Sequence, residues 1–258
     1  MLNEDVCERI RQAATIIGES RHLVAFTGAG ISTDSGIPDF RSQNSGVWRD
    51  VDPLKVASIY GFRHDPQAFY DWVRPLSELM LSAEPNAAHH ALADLETAGH
   101  LRSVITQNID MLHSRAGHRQ IFELHGHMRQ ATCIHCFAVC DGENVMRQFL
   151  SDGQVPRCPQ CGSGILKPNV ILFGEQLPFR ELQGAQDAAR DCDVMVVVGS
   201  SLEVAPADGI PLLAHRTGAK LIIVNLEPTP ADRYADVVIH GRAAHILPEI
   251  IRYVEKSE

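Results

Sequence analysis

Four cysteines fall into two close pairs, Cys133-x2-Cys136 and Cys158-x2-Cys161, with 21 residues between the pairs. Two such knuckles present four thiolates in a tetrahedron, the pattern of a structural zinc site. Pro156, Pro159, Gly162 and Gly164 surround the second knuckle and supply its tight turns. A complete set of thiolates leaves no coordination position for water, so the Zn2+ expected here staples the chain and does not react. His135 and Cys140 stand nearby as substitute ligands but lack the knuckle spacing. The other thiols, Cys7, Cys140 and Cys192, read as ordinary cysteines; seven is an odd set, which argues against a disulfide framework.

A second candidate is the turn Gly28-Ala29-Gly30-Ile31-Ser32, which follows the apolar run Leu23 to Phe26. A strand breaking into glycines before a helix lets backbone N–H groups approach a phosphate, and the helix dipole adds attraction. The third glycine of the dinucleotide fingerprint is missing, because position 33 is Thr33. A hydride-transfer enzyme also needs an acidic residue at the end of a second strand. Asp50 and Asp52 lie near that distance, but no strand precedes them. The turn therefore points to a dinucleotide or phosphate site and away from a dehydrogenase; the alternative is a turn that needs only the flexible backbone. Asn108 and Asp110 follow the run Ser103 to Thr106, where open α/β sheets place their ligands; the alternative is that they only cap a turn.

The elements that must position these residues alternate. Val6, Ile10, Ala13 and Ile17 recur at helical spacing over residues 3–19. Asn86 reads as the N-cap of a helix carrying Ala88, Ala91, Leu92 and Leu95, and Gly99 stops it. Short apolar runs follow at Ser103 to Thr106, Ile121 to Leu124, Val170 to Phe173, Val194 to Val198, Leu221 to Val224 and Val237 to Ile239. Helical stretches at 179–191, 207–216 and 244–255 separate the later ones. Runs apolar on both faces, alternating with helices, predict an α/β fold: a Rossmann-like parallel sheet with helices on both faces. The cysteine pairs sit in a compact insert, 128–167, and residues 40–85 form a helical or irregular excursion. The sheet domain is then discontinuous, comprising 1–39, 86–127 and 168–258.

With 258 residues, 45% of them hydrophobic and 21% charged, the chain has an ordinary globular composition. No apolar stretch approaches the roughly 20 residues of a membrane span, and the acidic start resembles no targeting peptide, so a cytoplasmic protein is expected. A net charge of −9 argues against direct nucleic-acid binding and is compatible with a lysine-rich partner. A monomer is expected.

The run from Gly28 through Ile37-Pro38-Asp39-Phe40-Arg41 closely resembles the signature of the sirtuins, the silent-information-regulator family of NAD-dependent deacylases. So do Thr106-Gln107-Asn108-Ile109-Asp110, the pair His125-Gly126 and the cysteine insert after it. Lys167 to Glu175, Gly199-Ser200-Ser201-Leu202 and Val224-Asn225-Leu226-Glu227 complete the ordered set, which spans residue 28 to about 243. The resemblance implies that an acyl-lysine oxygen attacks the nicotinamide ribose of NAD, and that a histidine then deprotonates a ribose hydroxyl. The acyl group moves to ADP-ribose and nicotinamide leaves. His125 is the matching base, and Asn108 is the second catalytic candidate.

By the same resemblance, Gly28, Ala29, Gly30, Ser32 and Thr33 belong to the cofactor loop; Phe40 covers the nicotinamide, and Arg41 meets a phosphate or orders the loop. Ile109 and Asp110 hold the carboxamide, Gln107 and Asn108 reach the ribose, and Gly199, Ser200 and Ser201 meet phosphate or ribose oxygens. Asn225 and Glu227 match the adenosine-ribose contacts, with Ala243 against the adenine. Val170, Phe173, Gly174 and Glu175 lie in the peptide-binding strand, whose exposed edge an extended substrate joins. Protein mono-ADP-ribosylation and a non-catalytic NAD-sensing module are the competing readings.

Family members that remove succinyl or malonyl groups carry a Tyr-x-x-Arg pair. Here Tyr70 is followed by Val73 at that offset, and Arg74 comes one residue later. A bidentate clamp does not forgive that slip, so acetyl or longer uncharged acyl groups are expected.

Overall fold

The computed structural model describes residues 4–39 and 52–255. Among the described residues nine strands run in chain order: β1 (Leu23–Thr27), β2 (Leu101–Thr106), β3 (Ile121–Glu123), β4 (Gly126–Cys133), β5 (Val139–Asp141), β6 (Leu166–Val170), β7 (Val194–Val198), β8 (Lys220–Asn225) and β9 (Val237–His240). The α-helices are α1 (Glu4–Gly18), α2 (Pro53–Val56), α3 (Ile59–His64), α4 (Pro66–Ser82), α5 (Ala87–Thr97), α6 (Leu112–Arg115), α7 (Gly142–Asp152), α8 (Phe179–Asp191), α9 (Gly209–Arg216) and α10 (Ala243–Val254).

Six strands form one sheet in the order β3-β2-β1-β7-β8-β9, every neighbouring pair parallel. Alternate residues of its strands supply two separate cores. Leu23, Ala25, Val196 and Val224 pack with α1, α5 and α10, whereas Val24, Phe26, Val197 and Ile223 pack with α8 and α9. Burial on both faces explains why these runs are continuously apolar. The chain builds outward from β1 to β2 and β3, then returns to place β7 on the other side of β1. The strand order therefore reverses between β1 and β7, the switch point at which open α/β sheets place a crevice outside the carboxyl ends of their strands.

Val170 to Phe173 is not a strand of this sheet. Leu166–Val170 is instead β6 of a second, three-stranded antiparallel sheet ordered β5-β4-β6. Its residues are buried alternately, as one-faced strands are. The small sheet reaches back to Gly126 and on to Val170, beyond the 128–167 insert at both ends. Beyond Val170 the backbone turns to other partners: Ile171 N donates to His125 O at 2.9 Å, and Phe173 pairs with Ala57 and Ile59.

Local signals explain several helix ends. The Asn86 side chain accepts from Ala88 N at 2.9 Å, and Asn86 N donates to His89 Nδ1 at 3.3 Å, which closes a capping box. Asp65 caps α4 with Pro66 at its first position. No helix among the described residues is long and apolar enough to cross a membrane.

Candidate active site

The crevice at the sheet's carboxyl edge is a cleft of about 1370 Å³. Gly28 and Gly30 sit at its floor, and their lack of a side chain has a specific cause. A Cβ on Gly28 would come 2.8 Å from Gly199 O, and one on Gly30 would come 2.8 Å from Gly199 Cα. The two loops of the switch point thus touch backbone to backbone. Gly30 N donates to Gly199 O at 2.8 Å, so that N–H is spent inside the protein. The helix expected after the turn is a 3-10 segment, Ala29–Ser35, too short to project the dipole of an α-helix.

The segment after β2 is held residue by residue. Asn108 N donates to Thr106 Oγ1 at 3.1 Å, and its side-chain amide donates to Gly28 O at 3.1 Å and Ser32 Oγ at 3.2 Å. Ser32 Oγ in turn donates to Asp110 Oδ2 at 2.7 Å, and Leu112 N donates to Asp110 Oδ1 at 2.9 Å. Burial pushes the Asp110 carboxyl up, and those hydrogen bonds pull it back. The acid therefore does more than cap a turn: it locks the glycine loop to the β2 loop. Ala29, Ser32, Ile37, Pro38, Asn108, Ile109 and Asp110 enclose a small recess that adjoins the main cleft.

His125 follows β3 and lines the cleft. Its Nδ1 lies 3.0 Å from Gln107 O, an acceptor, so Nδ1 carries the proton and Nε2 keeps its lone pair. Burial lowers the imidazole below its usual range, against the opposing pull of that carbonyl. The ring is thus neutral and basic near pH 7. Gln107 also donates from Nε2 to Ser200 Oγ at 2.9 Å, which ties the β2 loop to the β7 loop.

Gly28, Ala29, Gly30, Thr33, Gln107, Asn108, Ile109, His125, Gly199, Ser200, Ser201, Asn225, Glu227 and Ala243 all line this one cleft. Val170, Phe173, Gly174 and Glu175 line it too, while Ser32 and Asp110 face the adjoining recess. Phe40 and Arg41 lie outside the described residues. The edge expected at Val170 to Glu175 is largely occupied. Phe173 N donates to Ala57 O at 2.9 Å, its carbonyl accepts from Ile59 N at 3.0 Å, and Leu172 N donates to Glu175 Oε2 at 2.8 Å. What remains for an added strand begins at Gly174, whose backbone has no partner among the described residues.

Sequence reasoning missed two parts of the wall. Arg242 lines the cleft and pairs with Asp34 at 2.9 Å across 208 positions of sequence, a separation no local pattern reveals. Phe69, Trp72, Val73 and Leu76 of α4 form an apolar flank with Ile109, Met128 and Leu172. The helical spacing of those four was legible; their target was not.

Away from the cleft, the Sγ atoms of Cys133, Cys136, Cys158 and Cys161 all lie within 4.8 Å of one another. Cys133 and Cys161 are 3.8 Å apart and Cys136 and Cys158 3.6 Å, far beyond a disulfide and close to the ~3.8 Å that tetrahedral Zn–S bonds impose. Backbone N–H groups of Cys136 and His135 point at Cys133 Sγ, and that of Gly164 points at Cys161 Sγ, which lowers both thiols. The donor set fits structural zinc.

The Sir2 family model matches residues 28–206. NAD-dependent protein deacylase 2 of Archaeoglobus fulgidus is 50% identical over 249 residues, covering 96% of this chain and 97% of the relative. A solved structure from work on the mechanism and regulation of Sir2 enzymes superposes with a TM-score of 0.91 at 49% identity, covering 97% of this chain and 99% of the other. A Sir2 structure bound to a myristoylated histone peptide superposes with a TM-score of 0.83 at 44% identity, covering 97% and 98%. With the family model spanning more than half of the chain, both cysteine pairs included, and a relative matching nearly end to end, the chain belongs to the Sir2 family.

Proposed function

We propose that this protein is an NAD-dependent protein lysine deacylase, which transfers the acyl group of acyl-lysine to ADP-ribose and releases nicotinamide. The observation that carries this reading is His125, neutral and with Nε2 free, in a cleft that has polar glycine loops on one side and an apolar flank on the other. The relative from Archaeoglobus fulgidus, named for the same activity, supports it.

NAD supplies the electrophilic ribose carbon, the nicotinamide leaving group and the hydroxyls that receive the acyl group. The protein's part is positioning and one proton. Asn108, fixed by Gly28 and Ser32, orients the ribose; Ile109, Asp110 and Ser32 hold the carboxamide in the recess. Gly199, Ser200 and Ser201 meet phosphate or ribose oxygens, and Asn225, Glu227 and Ala243 flank the adenosine end. His125 Nε2 takes the proton of the attacking ribose hydroxyl, while Gln107 O stabilises the imidazolium that forms. The peptide adds along Gly174 and Glu175; Lys167, 3.0 Å from Glu175, holds that carboxylate in place. Residues 1–39, 86–127 and 168–258 act as the NAD-binding part, 128–167 as the zinc module, and 40–85 as the excursion over the cofactor.

The acyl group is uncharged. Tyr70 is buried and donates from its hydroxyl to Leu166 O at 2.6 Å, and Arg74 donates to the carbonyls of Phe149 and Leu150. Neither is available to a carboxylate. Incubation with NAD and acetyl-, long-chain acyl- and succinyl-lysine peptides, followed by mass spectrometry, tests the reading. Loss of the uncharged acyl groups with nicotinamide release is expected; peptide gaining ADP-ribose, or strong succinyl preference, overturns it.

A further inference from the structure

Tyr70 and Arg74 sit on α4, whose Phe69, Trp72, Val73 and Leu76 form the apolar flank of the cleft. Their own side chains reach the cysteine module. Tyr70 Oη donates to Leu166 O, and Leu166 stands opposite Cys133 in the β4–β6 register. Arg74 forks onto the carbonyls of Phe149 and Leu150 at 3.2 and 3.1 Å, in the last turn of α7, which Gly153 caps. Its guanidinium carbon lies 4.5 Å from the centre of the Phe149 ring, and the Tyr70 ring lies 4.9 Å from that ring. Tyr70 in turn meets the Phe69 ring edge-on at 5.4 Å. A contiguous path thus runs from a metal-binding cysteine, through Leu166 and Tyr70, to a side chain that lines the cleft.

Such a latch has physical weight. The buried Tyr70 hydroxyl donates to Leu166 O, and the planar Arg74 guanidinium bridges Leu150 O and Phe149 O, which also accepts from Gly153 N at the cap of α7, a fork few other side chains reproduce. Phe62, Phe69, Tyr70, Val73, Leu76, Met146 and Phe149 share one apolar core, so α4 and α7 shift together or not at all.

We propose that Tyr70 and Arg74 are positioning residues that hold α4 against the zinc module, and so shape the acyl pocket for long uncharged chains. The inference rests on the deacylase reading. An acetyl group ends beside His125 and barely meets α4. A long chain lies along Phe69, Val73 and Leu76 and depends on where that helix stands.

Arg74→Met and Tyr70→Phe keep the bulk and remove the donors. In each, the KM for a tetradecanoyl-lysine peptide is expected to rise about 10-fold with kcat unchanged, whereas kcat/KM for the acetyl peptide stays within about 2-fold. Hydrogen exchange over Pro66–Ser82 should quicken while the amides of β1 and β7 keep their protection. Equal losses for both chain lengths, an unchanged length profile, or unchanged exchange in α4 would overturn the proposal. Should the wild-type protein be inert toward every acyl peptide, the deacylase reading fails separately. Calorimetric binding of the tetradecanoyl peptide then makes the same comparison, and about 10-fold weaker binding in both variants is expected.

Discussion

The parallel sheet and the cysteine module solve the same problem by different means. The sheet buries every residue of β1 and β7 between two apolar cores, and its site arises where the topology reverses. The module's own buried cluster is Ala131, Cys133, Val145, Cys158 and Leu166, in which two members are metal-binding cysteines. In the sheet, burial builds the scaffold and the site is a consequence. In the module, the site is the scaffold, because so small a core cannot hold itself together.

That contrast can be broken most forcefully by removing the metal. Structural zinc in small modules carries an apparent ~10–16 kcal/mol of folding free energy. A strong chelator should therefore unfold β4, β5, α7 and β6, while the six-stranded sheet keeps its amide protection. Simultaneous loss of both regions in hydrogen exchange would show that they are one energetic unit.

The reverse experiment strikes the cleft alone. His125→Ala should lower acyl transfer by about 10²–10⁴-fold, the usual worth of a general base, with zinc content and melting temperature unchanged. Full activity in that variant would remove His125 from the mechanism. Because burial lowers this imidazole, the acid limb of kcat/KM should fall below the ~6.5 of a free histidine. A limb above 7 would contradict the burial.

Acid also separates the regions through buried histidines beside the sheet. Burial pushes His89 down to about 3 and His113 well below its usual range; it lowers His118 too, against the pull of Glu96 2.6 Å away. Unfolded, all three titrate near ~6.5. Below that pH the unfolded chain binds protons that the folded chain refuses. Stability is therefore complete above ~6.5 and is lost as pH falls toward the depressed values, at up to ~1.4 kcal/mol per pH unit for each group. Urea midpoints from pH 7 to 5 should show that slope, and His89→Gln should flatten it. A smaller effect, about 1 kcal/mol, is expected for Asn86→Ala, which removes the cap of α5. An unchanged urea midpoint would show the cap to be dispensable.

Sequence by itself determined whatever depends on near neighbours. The cysteine spacing named the metal ligands, the Asn86 cap placed a helix start, and apolar runs located the six parallel strands, because each signal is complete within a few residues. The ordered motifs also named many of the residues that line the cleft, but neither Arg242 nor the apolar flank of α4. Only tertiary structure decided the rest. Val170 to Phe173 looked like a sheet strand, since an apolar run does not say which neighbour it pairs with. Gly28 and Gly30 read as glycines of a cofactor loop, and that they also leave room for the backbone of Gly199, far along the chain, only the fold could show. Tyr70 and Arg74 read as a pair out of register for clamping a substrate carboxylate, but that their partners are the carbonyls of Leu166, Phe149 and Leu150 was visible only in the fold. In each case the partner that gives the residue its meaning is distant in sequence, and only the packed fold brings it within hydrogen-bonding or van der Waals range.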